Sequence, residues 1–115
     1  MHELGIMTGV VQSVTAAAED AGASQVTDIT LRMGRMTEVI EEALQFAFEA
    51  LAPGTVCEGA ALHIVMVEPR SLCLECGCEY DHDRFHMSCP ACGSGNVKLL
   101  AGREMNIESI EVDIP

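Results

Sequence analysis

Residues 73–93 hold Cys73-Leu74-Glu75-Cys76-Gly77 and Cys89-Pro90-Ala91-Cys92-Gly93, with twelve residues between Cys76 and Cys89. Each Cys-x-x-Cys brings two thiolates together from one tight turn. The glycine after it permits the turn and lets backbone N–H groups approach sulfur. Two such turns facing each other make a tetrahedral four-thiolate site, the arrangement zinc prefers. Four free core cysteines would have no need of the paired spacing. No fifth group is called for, so the site reads as closed and structural, and its metal replaces the core this segment lacks. Iron takes the same four ligands in a rubredoxin-like redox site. That reading is disfavoured because Tyr80 and Phe85 are the only aromatics available to pack around it.

Outward from the knuckles, residues 70–100 carry five of the six cysteines, few aliphatics and many turn residues. We read them as an inserted zinc-binding domain within a second domain made of residues 1–69 and 101–115. In that second part, Leu4, Met7, Val11, Val14, Ala18 and Ala21 recur at helical spacing over 4–21, and Gly22 stops the helix. The period then drops to two over Val26–Met33, where Ile29, Leu31 and Met33 alternate with polar residues. Thr37 is the expected N-cap of a second helix with the stripe Ile40, Leu44, Ala47, Phe48 and Leu51, closed by Pro53-Gly54. A second strand is expected at Ala61–Glu68 and a last one at Glu104–Ile114, where the apolar parity changes and a bulge near Glu108-Ser109 would reconcile it. The fold class is therefore α+β: a small three-stranded sheet with two helices on one face, plus an inserted zinc-ribbon-like module. A helix joins the first two strands, so a parallel right-handed crossover is expected between them.

Composition bounds the function. The chain has 115 residues, enough for one domain with a small insertion. Eighteen acids against six bases give a net charge of −12, which argues against nucleic acid and suits a cation or a basic partner. No apolar run approaches the roughly 18 residues of a membrane span, and the start lacks a basic, apolar leader, so a cytoplasmic location is expected. Cysteines without an export signal point to metal or thiol chemistry. There is no nucleophile–base set, no phosphate loop and no open position on a fully thiolate-bound zinc, so an enzyme is not expected.

The chain opens Met1-His2-Glu3. The free α-amine, the deprotonated His2 amide and the His2 imidazole can close fused chelate rings on one ion, and Glu3 can add an oxygen. Such nitrogen-rich tetragonal coordination suits nickel(II) or copper(II). The plainer alternative is an exposed histidine before a helix, with Glu3 as a favourable charge at the helix start. His63 reads as a surface or edge residue. His82 and His86 fall in the turn-rich segment between the knuckles, which is either a solvated loop or a source of an extra ligand. Cys57 and Cys78 are left over as spectator thiols, Cys78 lying close enough in sequence to exchange with a ligand. Met7, Met33, Met66 and Met105 follow the apolar parities and are expected in the core.

Taken together, Met1-His2-Glu3, the amphipathic helix, the strand ending at Gly34, a helix with Phe46-Ala47-Phe48-Glu49, two Cys-x-x-Cys-Gly knuckles and a terminal strand resemble the HypA/HybF family over essentially the whole chain. The resemblance implies a nickel-insertion accessory protein for nickel–iron hydrogenase maturation. Nickel, Ni(2+), would sit at Met1, His2 and Glu3 as transient cargo. Structural zinc, Zn(2+), would sit at Cys73, Cys76, Cys89 and Cys92. It also implies the nickel-handling GTPase HypB and the hydrogenase large subunit as partners, urease as a client of some members, and room for a homodimer. Certain relatives place a nickel-binding carboxylate early in the second helix. The corresponding position here is Ile40, so that ligand is not carried over. Histidines that flank the knuckles in some relatives are replaced by Glu79 and Gly95. The competing functions are a zinc-ribbon interaction module and a rubredoxin-like iron protein.

Overall fold

The computed structural model describes residues 2–115. They divide into two compact units: the chain up to Arg32 with residues 39–65 and 106–115, and Met33–Glu38 with Met66–Met105.

The first unit holds α1 (Glu3–Asp20), which buries Met7, Val11, Val14 and Ala18, and α2 (Glu41–Leu51), which buries Leu44, Ala47 and Phe48. The two helices pack on each other. Most of a three-stranded sheet belongs to the same unit, with β1 (Gln25–Gly34) between β2 (Ala61–Val67) and β6 (Met105–Asp113). Ile29, Leu31 and Met33 are buried on β1 while Asp28, Thr30 and Arg32 between them are part-exposed, as a half-buried strand requires. The strand after the cysteine module thus returns to the first sheet. Gln25 Nε2 donates to the Glu58 carbonyl and His63 Nε2 meets Asp28 Oδ1 at 2.8 Å. These contacts advance in the same sense along β1 and along the turn at Glu58 that leads into β2, as a parallel crossover places them. On β6 the alternation breaks at Glu108 and Ser109, both exposed. On β1 it breaks at Thr27 and Asp28, both part-exposed between buried Val26 and Ile29. No helix among the described residues is long and apolar enough to cross a membrane.

Several local expectations are corrected. Thr37 does not cap α2. It closes a short 3-10 turn, Arg35–Thr37, and its hydroxyl donates back to the Gly34 carbonyl at 2.6 Å. Glu38 then turns left-handed (φ 63°), and the helix starts only at Glu41. Leu4, Ile40 and Met105 are exposed at 59%, 58% and 44% rather than buried. Leu4 and Ile40 stand at helix starts, where the stripe has nothing to pack against. Met105 opens its strand. Cys57 lies in the turn that follows α2 and is fully buried there.

The second unit contains β3 (Arg70–Cys73), with β4 (Glu79–Asp81) and β5 (Val97–Ala101) paired antiparallel on its two sides. The small strands were not legible in a segment so short of aliphatics. Its core is small: buried Cys73, Tyr80 and Cys89, with Cys78 and Val97 packed against them.

Gly34 makes a close backbone approach in this unit. Its N–H donates to the Glu104 carbonyl at 2.7 Å, and the Met36 N–H donates to the Gly102 carbonyl at 2.8 Å. A Cβ on Gly34 would lie 2.0 Å from the Gly102 oxygen. The neighbour is backbone and cannot step aside, so Gly34→Ala is expected to cost at least about 2 kcal/mol. A urea midpoint equal to that of the unsubstituted chain would refute the close approach.

Candidate metal centre

The two knuckles fold alike because their sequences make the same demands. Gly77 and Gly93 sit at φ 79° and 75°, a conformation that side chains resist. Each donates its N–H to the carbonyl of the first cysteine of its knuckle, Gly77 to Cys73 at 3.0 Å and Gly93 to Cys89 at 2.8 Å. The first cysteine's own N–H crosses the turn to the residue five on, Cys73 to the Cys78 carbonyl and Cys89 to the Ser94 carbonyl. The first knuckle is thereby the hairpin turn between β3 and β4.

The sulfurs of Cys73, Cys76, Cys89 and Cys92 all lie within 4.8 Å of one another. Cys73 Sγ is 3.5 Å from Cys92 Sγ, and Cys76 Sγ is 3.6 Å from Cys89 Sγ. A tetrahedral ion with metal–sulfur bonds of about 2.3 Å separates its sulfurs by about 3.8 Å, so the set fits one such ion with little movement. Among the described residues this is the one group of three or more Cys, His, Asp or Glu side chains whose ligand atoms converge. Cys73 and Cys89 are buried and Cys76 and Cys92 exposed.

Backbone dipoles and shared protons set the thiols apart. The Cys76 N–H pointing at Cys73 Sγ lowers that thiol, against a smaller effect of burial. Burial resists ionisation of Cys89, but the N–H groups of Cys92 and Ala91 and the Cys76 thiol outweigh it and bring it to about 6. The Cys78 N–H favours the Cys76 thiolate. Cys89 and Cys73, as thiolate acceptors, nonetheless hold the Cys76 proton and push it up to about 12. Cys92 is raised too: the Ser94 N–H favours its thiolate, and proton sharing with Cys73 prevails. Amides that stabilise thiolate charge also suit a metal-bound thiolate.

Tyr80 is the module's packed aromatic. It is buried against Cys73 and Cys89, with its hydroxyl donating to the Met87 carbonyl. Phe85 is 74% exposed. Cys78 is half-buried beside the cluster, with Sγ 3.6 Å from the Glu79 carbonyl. The alternation Cys76, Cys78, Tyr80 was the available sign that Cys78 runs into a strand. The histidines between the knuckles are engaged elsewhere. His82 meets the buried Ser71 hydroxyl at 2.7 Å and the Asp83 carbonyl at 2.6 Å, and His86 Nδ1 lies 2.8 Å from the Asp83 carboxylate.

Of the N-terminal candidates, Met1 lies outside the described residues. His2 is exposed at the N-cap position of α1, its carbonyl accepting from the Ile6 N–H at 3.1 Å. Helix geometry makes no demand on the His2 amide nitrogen, because N–H groups at a helix start have no intrahelical partner. Glu3 opens α1, and its Oε2 accepts from the Ile40 N–H at 3.1 Å. Its own backbone N–H and that of Ile40 lower its carboxyl below the usual range. Ile40 thus faces Glu3 through its backbone N–H.

A family model described as hydrogenase/urease nickel incorporation, metallochaperone, hypA matches residues 1–112. The hydrogenase maturation factor HypA of Chlorobaculum tepidum is 40% identical over 113 residues, covering 98% of this chain and 100% of its own. That of Methanocaldococcus jannaschii is 37% identical over 121 residues, covering 98% of each. The solution structure of the nickel metallochaperone HypA from Helicobacter pylori superposes with a TM-score of 0.71 at 23% identity over all of both chains. A second HypA solution structure gives 0.73 at 24% over 97% of this chain and 96% of its own.

Proposed function

Because this chain belongs to the HypA family of hydrogenase/urease nickel-incorporation metallochaperones, we propose that it takes up Ni(II) at Met1, His2 and Glu3 and delivers it during nickel–iron hydrogenase maturation. Zn(II) on Cys73, Cys76, Cys89 and Cys92 has a structural role. One observation carries the reading: a closed four-sulfur centre and an exposed, nitrogen-bearing start belong to different compact units. A metal that must leave again needs an accessible site, and the His2 imidazole is exposed. Nitrogen donors in a plane select nickel over zinc. Glu3 keeps Oε2 on the Ile40 N–H, which fixes its carboxylate and leaves Oε1 for the ion.

The protein acts as a carrier, not an enzyme, in the cytoplasm. The nickel-handling GTPase HypB and the hydrogenase large subunit are its partners, and urease is a further client. The first unit has eleven acidic side chains against one basic one, Arg32, so encounter with a basic GTPase surface is charge-led. Its association rate is expected to fall several-fold between 50 mM and 500 mM salt. A rate flat across that range would contradict it. The reading as a whole is tested by metal analysis and nickel titration of the protein with an unblocked N-terminus. A colourless protein with about one zinc and one further nickel per chain supports it. A red, iron-loaded protein that takes up no nickel refutes it.

A further inference from the structure

We infer that the outer side of α2 is a docking trough for a cationic amphipathic helix, about three turns long, on a partner protein. Glu41, Glu42, Gln45, Phe46 and Glu49 line a groove of about 410 Å³. A second groove of about 440 Å³ runs between the end of α2 and residues 58–62 and shares Gln45 and Glu49 with the first. Sharing these two side chains makes the two grooves neighbours on α2. Gln45 fixes their common floor by donating from Nε2 to the Leu62 carbonyl at 2.8 Å. The trough follows the 11 residues of α2, roughly 16 Å at helical rise, which matches three turns of a docked helix.

Its chemistry selects the occupant. Phe46 is 74% exposed, while Leu44, Ala47 and Phe48 hold the core side of the same helix. Most of it lies outside the core, and it is placed as an aromatic anchor at the trough edge. Three carboxylates, Glu41, Glu42 and Glu49, line its groove and Glu58 lines the second, and among the described residues no cation lines either. The guanidinium ion pairs of the described residues go instead to Glu108, Glu68, Asp81 and Glu38. The opposite charge must come from outside this unit. Apolar side chains on one face of a helix would pack against Phe46, with flanking Lys or Arg reaching the carboxylates.

The inference does not depend on nickel, so its test separates from the one above. The probe is a synthetic 14-residue peptide of leucine and lysine at helical spacing, with a control of the same composition scrambled to destroy the apolar face. The unsubstituted protein is expected to bind the first at least about tenfold more tightly than the second. Phe46→Ala should lose about tenfold in affinity for the amphipathic peptide. Glu49→Gln with Glu58→Gln should lose as much at low salt and flatten the salt dependence. Circular dichroism, metal content and nickel titration should be unchanged in both. Equal affinity for the two peptides, or full binding by Phe46→Ala, would overturn the proposal. So would a dimer that Phe46→Ala converts to monomer, because a second copy would then fill the trough.

Discussion

Cys73→Ser is expected to remove the metal and unfold the second unit while the helical signal survives. Cys73 is 1% exposed and belongs with Tyr80 and Cys89 to the only core cluster described for that unit. A serine hydroxyl does not ionise near neutral pH and is a poor ligand for a thiophilic ion. Apparent binding free energies of structural zinc run to about 10–16 kcal/mol, more than so small a core could supply. Amide protection should vanish across β3, β4 and β5, while α1 and α2 keep their own buried residues Met7, Val14 and Leu44. Retained metal, or melting of the whole chain in one step, would contradict the account. Loading has a proton signature as well. Cys76 is held at about 12 and Cys92 is also raised, so metal uptake at pH 7 should release at least two protons. Calorimetry in buffers of different ionisation enthalpy would measure them. Cys89 titrates at about 6, so below that pH another proton competes and the metal should be lost at lower chelator concentration.

His2→Ala should abolish tight nickel binding, a loss of at least about a hundredfold, and leave zinc content and fold unchanged. The side chain is exposed and precedes α1, so no core contact goes with it. Nickel should suffer most, since the imidazole and amine nitrogens serve tetragonal geometry that a four-thiolate zinc does not use. Residues added before Met1 should weaken the site too, because they turn the α-amine into an amide. An extended chain that binds nickel as tightly as the original would remove the amine from the ligand set. Unchanged binding by His2→Ala would place the nickel site elsewhere.

The cysteine knuckles were legible from spacing because their geometry is local: two thiols per turn, a glycine with positive φ after each, and amides aimed at sulfur. The stripes of α1 and β1 were legible for the same reason, periodicity being a property of a short window. The expected cap of α2 failed through one local turn and one distant partner. Thr37 has the right chemistry for an N-cap, yet the chain turns at Glu38 and Thr37 bonds back to Gly34. The amide of Ile40 is met instead by Glu3, 37 residues earlier.

By itself, then, the amino-acid sequence determined the α+β class, the four converging sulfurs and the order of the two helices and of the three strands of the first sheet, since each follows from residue types a few positions apart. Tertiary structure alone decided that Met33–Glu38 joins the cysteine-bearing unit and that Gly34 had to be glycine because the backbone at Gly102 passes against it. It also decided that Glu3 is tied to the start of α2. Each of these depends on what a segment far along the chain brings alongside, and hydropathy cannot report that before the chain has folded.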